Sequence, residues 1–181
     1  MIITISGFHG TGKTTIAKEI AKEFKLRYIS AGDLFRKMAK EYQMTLEEFS
    51  NYAEKNPEID HKIDDRTIEE AKKGNVVLEG LLAAWKTRGI SELNILLTAD
   101  EQIRIKRITQ REQRSYEEIK EETLNREKIE IARFKKLYGI DLNDYSLYDV
   151  VLNTGLWTQD SVARIVIMLI KEHLKSKDKL I

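Results

Sequence analysis

Short unbroken apolar runs alternate along this chain with longer segments in which apolar residues recur every three or four positions. The short runs are Ile2–Ser6, Arg27–Ser30, Val76–Glu79, Leu93–Thr98 and Asp149–Asn153. They have strand length and β-branched content, and continuous runs such as Val76–Glu79 suit strands covered on both faces in a parallel sheet. Between them the spacing predicts helices over Thr14–Phe24, Asp33–Tyr42, Thr45–Lys55, Pro57–Lys73, Glu101–Glu112, Ser115–Tyr138 and Gln159–Lys175.

Several boundaries carry their own chemistry. Thr45 with Glu48, and Ser115 with Glu118, have the spacing of a capping box. Pro57 is tolerated in a first helical turn, and Gly74-Asn75 is a helix stop. In the last helix Val162, Ile165, Val166, Leu169 and Ile170 form one core-facing stripe. The strands lie too far apart for hairpins, which implies five parallel strands joined by right-handed helical crossovers. Ligands of such sheets bind beyond the carboxyl ends of the strands.

Composition narrows the classes. With 181 residues, 41% hydrophobic and 34% charged, the chain suits one globular domain with any second lobe inserted in it. Lys and Arg number 31 against 30 Asp and Glu, a formal charge of +1, which argues against a general nucleic-acid partner. The absence of cysteine excludes disulfides, thiolate metal sites and a cysteine nucleophile, and it leans toward a reducing compartment. Met1–Ser6 is too short for a signal peptide, and no apolar run reaches membrane length. A cytoplasmic chain without a membrane partner is expected. His9, His61 and His173 lack the spacing of a zinc site.

The first strand runs into Gly7-Phe8-His9-Gly10-Thr11-Gly12-Lys13-Thr14, which matches G-x-x-x-x-G-K-[ST] at every position. The glycines let backbone N–H groups converge on phosphate oxygens, and the following helix presents its positive end to them. Lys13 is expected on the β and γ phosphates of a nucleoside triphosphate, and the Thr14 hydroxyl on Mg²⁺. Thr15 completes the expected ATP-binding set. His9 is expected to contribute its backbone only.

The acceptor is harder to read. Ser30-Ala31-Gly32-Asp33-Leu34-Phe35-Arg36 follows the second strand, so it too falls at the carboxyl edge. There Gly32 admits a close backbone approach and Arg36 could grip an anion. Arg104, Arg107 and Arg111 share one helix face, and Arg126, Glu130 and Arg133 share another. Stacked like charges repel, so nearby carboxylates or a bound polyanion must compensate them.

These residues, with Asn56–Arg66 and Val77-Leu78-Glu79-Gly80, give the chain a resemblance to the nucleoside monophosphate kinases, and more closely to cytidylate kinases of the compact archaeal type. The resemblance spans essentially the whole chain. It implies a three-layer P-loop kinase fold, α/β, with a five-stranded parallel sheet, an acceptor segment at 31–65 and a lid at about 110–138. The core would be 1–30, 66–109 and 139–181. It further implies that Arg36 holds the acceptor phosphate and that Arg107 and Arg111 serve the donor adenine and phosphate. Arg126 and Arg133 would act from the lid, and Asp60 and Asp64 would face the acceptor nucleoside. Ser30, Gly32, Asp33, Glu79 and Gly80 complete the acceptor set. The resemblance also implies an arginine after the Glu-Gly or Asp-Gly pair, where this chain has Leu81.

The expected activity is therefore Mg²⁺-dependent transfer of the ATP γ-phosphate to CMP or dCMP by a monomer. A monophosphate acceptor needs no general base, because its second pKa is about 6. Three alternatives stay open: an adenylate kinase, a shikimate-type kinase of a small hydroxyl compound with Asp33 as base, and a nucleotide-binding switch.

Overall fold

The structure, a computed structural model, describes residues 1–177. Positions 178–181, the end of the expected core segment, lie outside the described residues. The elements in chain order are β1 (Ile2–Ser6), α1 (Lys13–Glu23), β2 (Arg27–Ser30), α2 (Ala31–Glu41), α3 (Leu46–Lys55), α4 (Glu58–Lys72) and β3 (Val76–Glu79). There follow α5 (Ala83–Lys86), β4 (Leu93–Thr98), α6 (Glu101–Glu112), α7 (Tyr116–Tyr138), β5 (Val150–Asn153), a 3₁₀ turn (Thr154–Leu156) and α8 (Gln159–Lys177).

The sheet order is β2-β3-β1-β4-β5, and all four pairings are parallel. Ile5, Ile95 and Leu97 in the central strands are fully buried. They pack with Ile16, Ile20, Val162, Val166 and Ile170 from α1 and α8, which makes this the main core. Of the stripe expected on α8, Leu169 is partly buried against the core, while Ile165 is half-buried outside the cluster. Ala71, Val76, Leu78 and Ala83 form a second cluster. The β1–β4 register sets Thr4 beside Asn94, and their side chains share a buried 2.7 Å hydrogen bond inside an otherwise apolar layer.

Helices α2, α3 and α4 carry a separate small core of Phe35, Met38, Ala39, Phe49, Ala53, Ile59 and Ile63. The Phe35 and Phe49 rings meet edge-on at 4.8 Å between centroids. Ile105, Ile108 and Ile119 join α6 to α7.

Most boundaries agree with the pattern, and the exceptions have local causes. Helix α2 starts at Ala31 rather than Asp33, because the Ser30 hydroxyl accepts the Asp33 N–H at 3.1 Å and so caps the helix earlier. The Thr45–Glu48 box is complete in both directions, at 3.2 and 2.8 Å. At Ser115 only the half accepting the Glu118 N–H is formed, at 3.3 Å. Pro57 stands one residue before α4 as its cap. The four-residue α5 and the three-residue 3₁₀ turn have no counterpart in the expected elements, being too short to show a period.

Candidate active site

The phosphate loop is bracketed by two glycines whose backbone no side chain tolerates. Gly7 has φ 144°, and a Cβ there would overlap the Leu97 carbonyl oxygen. Gly10 has φ 80°, and a Cβ would come within 2.5 Å of the Arg104 carbonyl oxygen. Three successive loop carbonyls are capped by cations. Lys13 Nζ donates to the Phe8 carbonyl at 2.9 Å, Arg104 to that of His9 at 2.8 Å and Arg107 to that of Gly10 at 3.4 Å. This fixes which way the peptide units face, a prerequisite for N–H groups to converge on phosphate.

A cavity of about 1060 Å³ opens on this loop. His9 to Thr15 line it at one place, Gly32, Arg36, Asp60 and Asp64 at another, and Arg107, Arg111, Arg126 and Arg133 elsewhere on the wall. Glu79 and Gly80 lie on it as well, at the carboxyl end of β3. Four expected residues are not on the wall. Gly7 sits behind the loop, and Phe8 packs toward the apolar cluster of Leu82, Phe134 and Leu142. Ser30 is buried as the cap of α2 and donates to Glu79 at 2.7 Å. Asp33 is exposed and pairs with Arg36 at 2.5 Å.

Each arginine on or beside the wall has a carboxylate or carbonyl partner. Arg104 is turned inward to Glu127, so it braces the loop instead of facing the cavity. Arg107 donates to the Thr154 hydroxyl at 2.9 Å and carbonyl at 2.7 Å, tying α6 to the turn after β5. Arg111 is exposed and meets Glu112 at 2.6 Å. Arg126 Nε donates to Glu130 at 3.0 Å. Arg133 Nε lies 3.0 Å from Asp60, an ion pair off the line of a hydrogen bond, and Arg133 Nη1 donates to the Ser50 carbonyl at 3.2 Å. Helix α7 thereby touches both the phosphate loop and the α2–α4 lobe.

The electrostatics follow from burial. Burial pushes the Lys13 ammonium below its ordinary value, opposed by Glu79, Glu130 and Glu127. Burial raises Asp60 to about 6, partly offset by Arg133 and reinforced by Asp64 and Glu130. Glu130 is buried as well, which works to raise it, but His9, Arg126 and Arg133 together bring it down to about 2. Asp64 accepts from the Tyr138 hydroxyl at 2.5 Å and meets Lys86 at 2.8 Å.

Glu79 gathers three hydroxyls on Oε2: Ser30 at 2.7 Å, Tyr28 at 3.0 Å and Thr14 at 3.3 Å. The Thr14–Glu79 pair is an all-oxygen donor set beside the phosphate loop, which suits a hard cation such as Mg²⁺. Among the described residues no group of three or more His, Cys, Asp or Glu could hold a metal. The protein would therefore contribute one or two oxygens, with phosphate and water as the remaining ligands.

Several wall residues were not legible beforehand. Leu82, Thr154 and Trp157 come from segments that read only as loop or strand end, and Phe35 sits inside the Ser30–Arg36 stretch without a role of its own there. Glu130 was visible as part of the Arg126–Arg133 stripe, but its spacing alone did not tell which oxygen it would give to which partner.

Fold and phosphate loop together define an α/β nucleotide-binding protein of the phosphate-loop kinase class. The chain belongs to the cytidylate kinase-like family, whose model matches residues 2–156. It is 49% identical over 169 residues to the cytidylate kinase of Methanocaldococcus jannaschii, covering 92% of this chain and 95% of that one. It is 46% identical over 174 residues to that of Methanococcus vannielii, covering 94% and 100%. Among solved structures, an uncharacterised protein of Eubacterium ventriosum superposes with a TM-score of 0.71, at 17% identity, covering 94% and 98%. Shikimate kinase of Bacteroides thetaiotaomicron gives 0.61, also at 17% identity and covering 94% and 98%. At that identity the likeness is one of fold.

Proposed function

We propose that this chain transfers the γ-phosphoryl group of ATP to CMP, and to dCMP, giving ADP and the diphosphate. The observation that carries the reading is that one cavity of about 1060 Å³ is lined at once by the phosphate loop and by Arg36, Asp60 and Arg133. That volume lies at the top of the roughly 300–1,000 Å³ range of single-ligand pockets, and the lining reaches from the phosphate loop to the α2–α4 lobe. The cytidylate kinases at 46–49% identity support the same acceptor.

An oxygen of the acceptor phosphate attacks the γ-phosphorus while the bond to the β–γ bridging oxygen breaks and its electron pair leaves with ADP. That oxygen is already largely ionised at neutral pH, so no base is required. Bound Mg²⁺, held by Thr14 with Glu79 behind it, would neutralise charge on the β and γ phosphates. Lys13 leaves the Phe8 carbonyl for those phosphates, and Arg126 and Arg111 meet the charge that develops on transfer. Arg36 takes the acceptor phosphate.

The Asp60–Arg133 pair supplies a base-reading edge: the carboxylate accepts from the cytosine amino group, and the guanidinium donates to the ring acceptors. Uracil inverts the first of these contacts. Leu81, where the resemblance implies an arginine, joins the apolar cluster with Phe8, Trp85 and Phe134, so acceptor charge is met from Arg36 and α7 instead. Arg107 and the half-exposed Trp157 border the end we assign to the donor base. Residues 31–65 would form the acceptor lobe and 110–138 the lid. No helix among the described residues is long and apolar enough to cross a membrane, and we place the protein in the cytoplasm as a monomer acting on small molecules. A hydroxyl acceptor lacks support, because Asp33 is exposed, off the wall and occupied by Arg36.

The test is ADP release with ATP–Mg²⁺ against CMP, dCMP, UMP, AMP, GMP and shikimate in parallel. Turnover confined to CMP and dCMP is the expected result. Preference for AMP would overturn the base assignment, and silence with every monophosphate would overturn the kinase reading.

A further inference from the structure

The pattern G-x-x-x-x-G-K-[ST] asks nothing of the side chain at its third position, yet here it is a histidine bonded into the wall. His9 Nε2 lies 2.9 Å from Glu130 Oε2, and the other oxygen of the same carboxylate accepts Arg126 Nε at 3.0 Å. Each Glu130 oxygen thus has one partner, and the side chain is 5% exposed. The histidine backbone is pinned as well: its N–H donates to Glu127 at 3.2 Å and its carbonyl accepts from Arg104 at 2.8 Å.

We propose that His9 and Glu130 are positioning residues for phosphoryl transfer: the phosphate loop fixes Glu130 through His9, and Glu130 fixes Arg126. This deepens the kinase reading and rests on it. Among the described residues the two terminal nitrogens of Arg126 donate no hydrogen bond, so the carboxylate takes one edge of the guanidinium and leaves the other for phosphate. A guanidinium held this way loses little side-chain freedom when the substrates arrive, and misplacement of such a group costs rate more than binding. The surrounding charges are Lys13 from α1, Glu79 from β3, Asp60 from α4, Arg104 from α6 and Glu127 and Arg133 from α7. Glu130 is ionised among them, so the proton of the His9–Glu130 bond resides on Nε2.

The experiment compares H9A, H9Q, R126A and H9A/R126A by steady-state kinetics with ATP and CMP varied in turn, alongside thermal melts. H9A should lower kcat by about 10–100-fold and leave KM for CMP within about twofold. H9Q keeps a side-chain N–H donor and should regain most of the rate. H9A should cost nothing further in the R126A background, since it acts through that arginine. Multiplying effects, or an H9Q as slow as H9A, would overturn the proposal. The Arg126 Nε–H resonance, assigned by its loss in R126A, gives a readout independent of turnover. It should be protected from exchange in the parent chain and in H9Q and unprotected in H9A, and protection retained in H9A would also overturn the proposal. Failure of the parent chain to use CMP would count against the kinase reading alone, because the resonance still decides whether His9 holds Arg126.

Discussion

The guanidinium of Arg104 and the carboxylate of Glu127 form a two-pronged pair, at 2.5 and 3.1 Å, with both side chains less than one-tenth exposed. The same guanidinium donates to the His9 carbonyl. A cation that could have faced substrate is instead the joint between α6, α7 and the phosphate loop. Arg104→Ala leaves Glu127 as a buried charge without its partner and should destabilise the fold by about 3–5 kcal/mol. Paired with Glu127→Leu, Arg104→Met should cost clearly less. Denaturant unfolding of Arg104→Ala, of the single changes Arg104→Met and Glu127→Leu and of their double variant measures this, and an additive double variant would mean that the two side chains do not act as a pair.

Gly10→Ala tests the loop geometry. The new Cβ would stand 2.5 Å from the Arg104 carbonyl oxygen at φ 80°, and the clash is with backbone of α6 rather than with a side chain that could swing aside. The loop must shift, so ATP affinity measured by calorimetry should fall by roughly 100-fold or more, the cost of displacing several charge-assisted N–H contacts. Unchanged affinity would mean that these amides are not the phosphate ligands.

The Arg36 side chain is 43% exposed and among the described residues has only Asp33 as an ion-pair partner, so its removal should barely affect stability. Arg36→Ala should reduce kcat/KM for CMP by about 100-fold or more while leaving KM for ATP within about threefold. Arg36→Lys should recover only part, since a point charge cannot reproduce a bidentate grip. Equal losses for ATP and CMP would move Arg36 from the acceptor to the donor.

Two buried carboxylates should give stability opposite dependences on pH. Glu130 titrates at about 2 in the folded chain against an ordinary 4.5, so its contribution is complete above 4.5 and is lost as pH falls toward 2. Asp60 is raised from 3.8 to about 6, so the folded chain holds its proton longer, and that contribution is complete below 3.8 and lost as pH rises through 6. Each shift corresponds to something on the order of 3 kcal/mol. Unfolding free energies from pH 2 to 7 should therefore lose their acid-side slope in E130Q and their slope between about 4 and 6 in D60N. Parallel profiles for parent and variants would show that neither shift exists.

Much of this was legible in the chain itself. Residues close in sequence settle the strands, because Val76–Leu78 and Ile95–Leu97 are unbroken apolar runs that only a covered parallel sheet buries. The phosphate loop is equally local: eight consecutive residues fix both its turn and its chemistry. Thr45 and Glu48 complete each other's cap within four residues. Family membership follows from the same local stretches taken together.

What each arginine does was decided only by tertiary structure. Arg104, Arg107 and Arg111 are equivalent by helical spacing, yet one is buried on Glu127, one ties the loop to Thr154 and one is exposed. Spacing fixes the face of a helix on which a charge sits, but not the carboxylate brought against it from another element. The same holds for His9, whose partner lies 121 positions away. Glu79 likewise collects hydroxyls from α1 and β2 because register sets Ser30 beside it in the sheet. A buried charge takes its energy and its orientation from partners within a few ångströms, and those neighbours exist only once the chain has folded.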